Sequence, residues 1–184
     1  EYPNVFELIA QQNQPQLFSH LWQRESANTG TSLKLLNRCL FVAIGPGYFF
    51  SSSGHWHFKM DMIRLLVQKG ADINATQKDG ATVLMKVVSS SSEAESSELE
   101  KIQELIDLGA DVNAHDKDKI PVLLYAMLGL EDGIYDYGLV NKLSLEQIKS
   151  DWFADGIDPE HLHVPIVKLL LKNGAKIPEY FSKH

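Results

Sequence analysis

One six-residue segment returns almost unchanged in this chain. Gly70-Ala71-Asp72-Ile73-Asn74-Ala75 returns as Gly109-Ala110-Asp111-Val112-Asn113-Ala114, and a shorter, altered copy follows at Gly174-Ala175-Lys176-Ile177-Pro178. A recurrence of this kind means that one supersecondary unit is reused along the chain, which confines the fold to repeat architectures.

Upstream of each glycine the same apolar spacing recurs: Ile63, Leu66 and Val67; then Ile102, Leu105 and Ile106; then Val167, Leu170 and Leu171. Positions i, i+3 and i+4 share one face of an α-helix. Each glycine then stands where a helix ends in a left-handed cap, a conformation costly for a residue with a Cβ. Gly70→Ala and Gly109→Ala are each expected to destabilise by about 1 kcal/mol or more for that reason. Beyond Asn74, Thr82-Val83-Leu84-Met85 opens another apolar stretch with Thr82 placed to cap it. Pro121-Val122-Leu123-Leu124 occupies the same place after Asn113, proline being accepted at a helix start. Each unit reads as helix, loop, helix, glycine stop and tight turn.

Leu65-Leu66-Val67-Gln68-Lys69-Gly70-Ala71-Asp72-Ile73-Asn74-Ala75 resembles the end of the second helix and following turn of the ankyrin repeat, and Leu105 to Ala114 does so nearly as well. The start of that family's first helix, Thr-Pro-Leu-His, is worn here to Thr82-Val83-Leu84-Met85 and Pro121-Val122-Leu123-Leu124. Asp79-Gly80 keeps the family's turn, whereas Asp118-Lys119 lacks its glycine. The resemblance covers about 58–128 well and the rest weakly. It implies an all-α, ankyrin-type solenoid of about four helix pairs, forming one domain over 1–184.

An ankyrin unit is about 33 residues. The interval from Gly70 to Gly109 is somewhat longer, and that from Gly109 to Gly174 is roughly twice a unit. In both cases the excess falls between the first and second helices of a repeat. The expected organisation is an N-terminal capping pair over 1–28, repeats over 29–75 and 76–114, and a C-terminal repeat over 115–184. The capping pair is read as Val5–Gln12 and Gln16–Glu25, with Phe6, Ile9, Leu17 and Leu21 facing inward and Pro15 between the helices. Thr31–Ala43 and Lys59–Lys69 form the next pair around a loop rich in glycine and serine at 45–54. Asn28 reads as a remnant of the repeated asparagine, and Ser97 with Glu100 as a capping box after a serine run.

The last repeat holds the largest insert, 129–160. Its eight acids (Glu131, Asp132, Asp136, Glu146, Asp151, Asp155, Asp158 and Glu160) against Lys142 and Lys149 give −6 of the chain's −7. It also carries Tyr135, Tyr137, Trp152 and Phe153. An ordered excursion packed on the stack is expected.

Most site chemistries lack support. His55-Trp56-His57 and His161-Leu162-His163 could supply imidazole ligands, but alternate residues diverge by about 200° on a helix, so no metal is expected at them. The acids of the insert lack calcium-loop spacing, and Gly45-Pro46-Gly47 has no lysine or hydroxyl residue to complete a phosphate cradle. Cys39 is the single cysteine, which precludes an internal disulfide; it lies among Leu36, Leu40 and Phe41 and reads as a buried small hydrophobe. Without disulfides the chain suits a reducing, intracellular compartment. A net charge of −7 with no basic stripe argues against nucleic acid, and no apolar run reaches membrane-spanning length. The chain opens on Glu1, as expected of a processed product or part of a longer protein.

What remains is a non-enzymatic module without cofactor, expected to act as a monomer that recognises another protein. By resemblance to ankyrin proteins, recognition falls to the variable turn positions: Thr76, Lys78, Asp79 and Ala81, then His115, Lys117, Lys119 and Ile120. Tyr135, Tyr137, Trp152 and Phe153 of the insert are a second candidate surface, its acids selecting a partner with a basic face. Two alternatives stay open: an inhibitor or immunity-type protein whose insert plugs a basic active site, and the substrate-recruiting domain of a larger enzyme. The degenerate, elongated repeats are also similar to those of ankyrin proteins that intracellular bacteria secrete into host cells.

Overall fold

The computed structural model describes residues 4–29, 33–45, 59–89, 96–128 and 165–178. Among these the chain is helical: α1 Val5–Gln11, α2 Pro15–Thr29, α3 Leu33–Ala43, α4 Met60–Gln68, α5 Val83–Ser89, α6 Ser96–Asp107, α7 Val122–Leu128 and α8 Pro165–Lys172. The chain divides into two compact units, Glu1–Ala75 and Thr76–His184. In the first unit α1 packs on α2 and α3, and α4 on α2 and α3; in the second α5 packs on α6 and α7, and α8 on α6 and α7. Each unit is therefore two helix pairs, first helix against first and second against second.

The repeated glycine stops build the same cap three times. Gly70 N–H donates to Val67 O at 2.9 Å and Ala71 N–H to Leu66 O at 3.0 Å. The same pair of bonds recurs at Gly109 and Ala110 and at Gly174 and Ala175, with glycine φ of 98°, 96° and 86° in chain order. This is the Schellman arrangement, and its left-handed residue explains the glycine. The apolar register holds as well. Ile63, Leu66, Ile102, Leu105, Val167 and Leu170 are fully buried, while Val67, Ile106 and Leu171 are half-buried in all three copies.

Asp72 and Asp111 complete the turn, each carboxylate accepting from the amide two residues on, Asn74 at 2.9 Å and Asn113 at 2.8 Å. Asn113 then joins its repeat to the next. Its Oδ1 accepts from Lys176 N–H at 2.8 Å and its Nδ2 donates to Gly174 O at 3.1 Å.

α5 and α7 are only seven residues long, and α5 contains Val83, Val87 and Val88, poor intrinsic helix formers. Packing stabilises them: every described side chain of both helices except Lys86 and Ser89 is buried. α1 instead has a local signal. Asn4 Oδ1 accepts from Phe6 N–H at 2.9 Å and Glu7 Oε2 accepts from Asn4 N–H at 3.1 Å, a capping box. The buried Glu7 carboxylate also pairs with the Arg38 guanidinium, Oε1 lying 2.6 Å from Nε and Oε2 accepting from Nη2 at 3.2 Å, tying α1 to α3.

Three sequence expectations are corrected here. Leu17 is exposed, and Phe18 and Trp22 fill the interior of the first unit instead. Asn28 lies within α2, so it is helical and not a turn remnant. Ser97 is the second residue of the α6 range, inside the helix instead of capping it. The loop at 46–54, the serine run at 90–95, the insert 129–160, His55, His57, His161 and His163 lie outside the described residues.

Cys39 is buried in α3, and burial, with Glu7 nearby, pushes its thiol from 9.0 up to about 12. Tyr125 in α7 is likewise raised above its ordinary value, first by burial and then by its hydrogen bond to Asp116. Both groups hold their protons more tightly folded than unfolded. Their contribution is complete below the unfolded values and is lost as pH rises through the folded ones. Stability should therefore fall between pH 9 and about 12, Cys39 alone contributing a slope of at most about 1.4 kcal/mol per pH unit. Melting curves of Cys39→Ala should fall more shallowly over this range; curves parallel to the parent's would refute the assignment.

Candidate functional site

The turn positions singled out by the sequence belong to two short fingers in the second unit. In the first, Thr76 and Thr82 bridge, Gln77 N–H donates to Ala81 O at 3.0 Å, and Gly80 N–H donates to Gln77 O at 3.0 Å. In the second, one repeat further on, His115 and Pro121 bridge, Asp116 N–H donates to Ile120 O at 3.1 Å, and Lys119 N–H donates to Asp116 O at 3.1 Å. Lys117 N–H donates to Asp79 O at 3.1 Å, so the fingers are fixed side by side.

Gly80 and Lys119 occupy equivalent places, with φ of 85° and 62°. Lys119 thus adopts the left-handed conformation that glycine adopts in the neighbouring finger, at a cost of about 1–2 kcal/mol for an L-residue. Lys119→Gly is expected to stabilise the second unit by about 0.5–1 kcal/mol, since glycine's own unfolded-state entropy offsets part of the relief. Chemical denaturation checks this; a loss of stability would contradict the strained placement.

The base of each finger is held by a carboxylate, supplied from different positions. Asp79 Oδ1 accepts from Ala81 N–H at 3.0 Å and Oδ2 from Lys86 Nζ at 2.7 Å. In the second finger Asp116 Oδ1 accepts from Asp118 and Ile120 N–H at 2.9 and 2.8 Å, and Oδ2 from the Tyr125 hydroxyl at 2.7 Å. Lys86 and Tyr125 stand at the same offset as Gly70 and Gly109, so a lysine–aspartate pair in one repeat is replaced by a tyrosine–aspartate pair in the next. Burial works to raise the Asp79 carboxyl, but the hydrogen bonds from Lys86 and Ala81 outweigh it and hold the group below its usual range. Burial lowers the Lys86 ammonium although Asp79 and Asp116 pull the other way. Thr82 Oγ1 accepts from Met85 N–H at 3.3 Å, the cap expected from its position.

Of the candidate contact residues, Thr76, Lys78, His115, Lys117 and Lys119 are exposed, and Asp79 is half-buried in its ion pair. Ala81 and Ile120 are corrected: at 0% and 1% exposure they are core residues, because the position before each first helix turns in between the packed helices. Gln77 and Asp118 are exposed in the fingers as well, and the sequence reading does not single them out. Tyr135, Tyr137, Trp152 and Phe153 lie outside the described residues. No group of three or more metal-ligating side chains occurs among the described residues, and none of their helices is long and apolar enough to cross a membrane.

Helix pairs ended by glycine caps and joined through paired fingers define a helical-repeat protein. Residues 52–94, a stretch that includes α4, the first finger and α5, match the family model for ankyrin repeats (many copies). No curated protein matches it. Ankyrin repeats generally mediate protein–protein interaction and are typically not enzymes.

Proposed function

We propose that this chain is a non-enzymatic recognition module that binds one partner protein through the fingers at 76–82 and 115–121. The observation that carries the reading is the division of labour within them. Apolar and acidic side chains fix each finger from beneath, while Thr76, Lys78, His115, Lys117 and Lys119 are left exposed on a backbone whose geometry is already set. A preorganised turn loses little conformational freedom on binding, which favours affinity. The insert 129–160 forms a second contact, with Tyr135, Tyr137, Trp152 and Phe153 as anchors and its −6 charge directed at a basic face of the partner. The module works as a monomer inside a cell.

Photo-crosslinking tests the reading. A benzophenone side chain placed at Lys78 or Lys117 should capture a defined partner protein, and the same group at Arg64 on α4 should not. Capture from Arg64 alone, or none from the fingers, would contradict it.

A further inference from the structure

We infer that the fingers bind an acidic segment of the partner, a stretch of peptide rich in aspartate or glutamate; the inference rests on the recognition role proposed above. The fingers hold three aspartates and three lysines, yet the two kinds of charge are treated differently. Asp116 is buried and spent on two amides and a tyrosine hydroxyl; Asp79 is spent on an amide and Lys86. Lys78, Lys117 and Lys119 are exposed, and no ion pair engages them among the described residues. Against them the fingers expose one acid, Asp118, leaving an outward balance of +2 from +3 and −1.

That balance stands out in a chain of net charge −7. Charges further away than about 8 Å are largely screened at physiological salt, so the local lysines dominate what a docked segment meets. Ammonium groups only donate hydrogen bonds, and an anionic acceptor satisfies them best. Lys119 adds a separate observation. It remains a lysine in a backbone conformation where glycine would be relaxed, which is the pattern of a side chain kept for contact at the expense of stability.

The test uses the full chain and a labelled twelve-residue poly-glutamate peptide, followed by fluorescence anisotropy at low and physiological salt. Lys78→Glu/Lys117→Glu should weaken binding at least tenfold, and Lys168→Glu/Lys172→Glu on α8, with the same change in net charge, less than twofold. Lys119→Gly should weaken binding severalfold while raising the melting temperature, a combination that mere misfolding does not produce. Equal losses in the two charge-reversal variants, no binding of the peptide, or tighter binding of a twelve-nucleotide single strand would overturn the inference. Finger crosslinking to a partner whose affinity ignores salt would overturn it too, and would leave the recognition role standing.

Discussion

Gly80→Ala should destabilise the second unit by about 3 kcal/mol or more, at least about 1 kcal/mol beyond the effect of Gly109→Ala. Both glycines have left-handed φ, so the backbone cost of adding a Cβ, about 1–2 kcal/mol, is common to them. The surroundings differ. A Cβ at Gly109 meets nothing within 4 Å, whereas at Gly80 it would stand 2.5 Å from Lys117 N and 3.0 Å from the Asp116 carbonyl carbon. Those atoms are backbone of the adjacent finger and cannot swing aside. Relief requires the fingers to part, which breaks the Lys117 N–H to Asp79 O bond as well. Urea denaturation of the two variants measures the difference; equal midpoints would mean that the fingers are not packed as described.

Phe18→Ala should cost the first unit about 3–5 kcal/mol. Phe18 is fully buried and stacks on Trp22 with centroids 5.6 Å apart, while the edge-on ring of Phe6 meets both at 5.3 Å. Removing the ring deletes two aromatic contacts and leaves a cavity between α1 and α2. Leu17→Ala, at the neighbouring position and 46% exposed, should change stability by less than about 0.5 kcal/mol. Intrinsic tryptophan fluorescence during denaturation reports both, and a Leu17 effect matching that of Phe18 would restore the sequence-based register of α2.

That register shows where the sequence stops being legible. Leu17 and Leu21 share a helical stripe, and so do Phe18 and Trp22; spacing alone cannot choose between adjacent stripes. The larger aromatic area decides it, together with Phe6 across the pair. The glycine caps are readable because only glycine meets the backbone requirement at low cost, and the requirement recurs three times. Ala81 and Ile120 look like contacts because they sit in a turn, although their apolar side chains already point to burial. The Asp79–Lys86 and Asp116–Tyr125 pairs are hidden for another reason. They become visible only when the two repeats are overlaid, and even then the acid changes position within the finger.

Hydrogen exchange of the full chain, free and bound to its crosslinked and identified partner, tests the recognition role most directly. Added protection is expected to concentrate in the amides of 76–82 and 115–121 and to be abolished by Lys78→Glu/Lys117→Glu. Protection confined to α6 and α8, with the fingers unchanged, would contradict it.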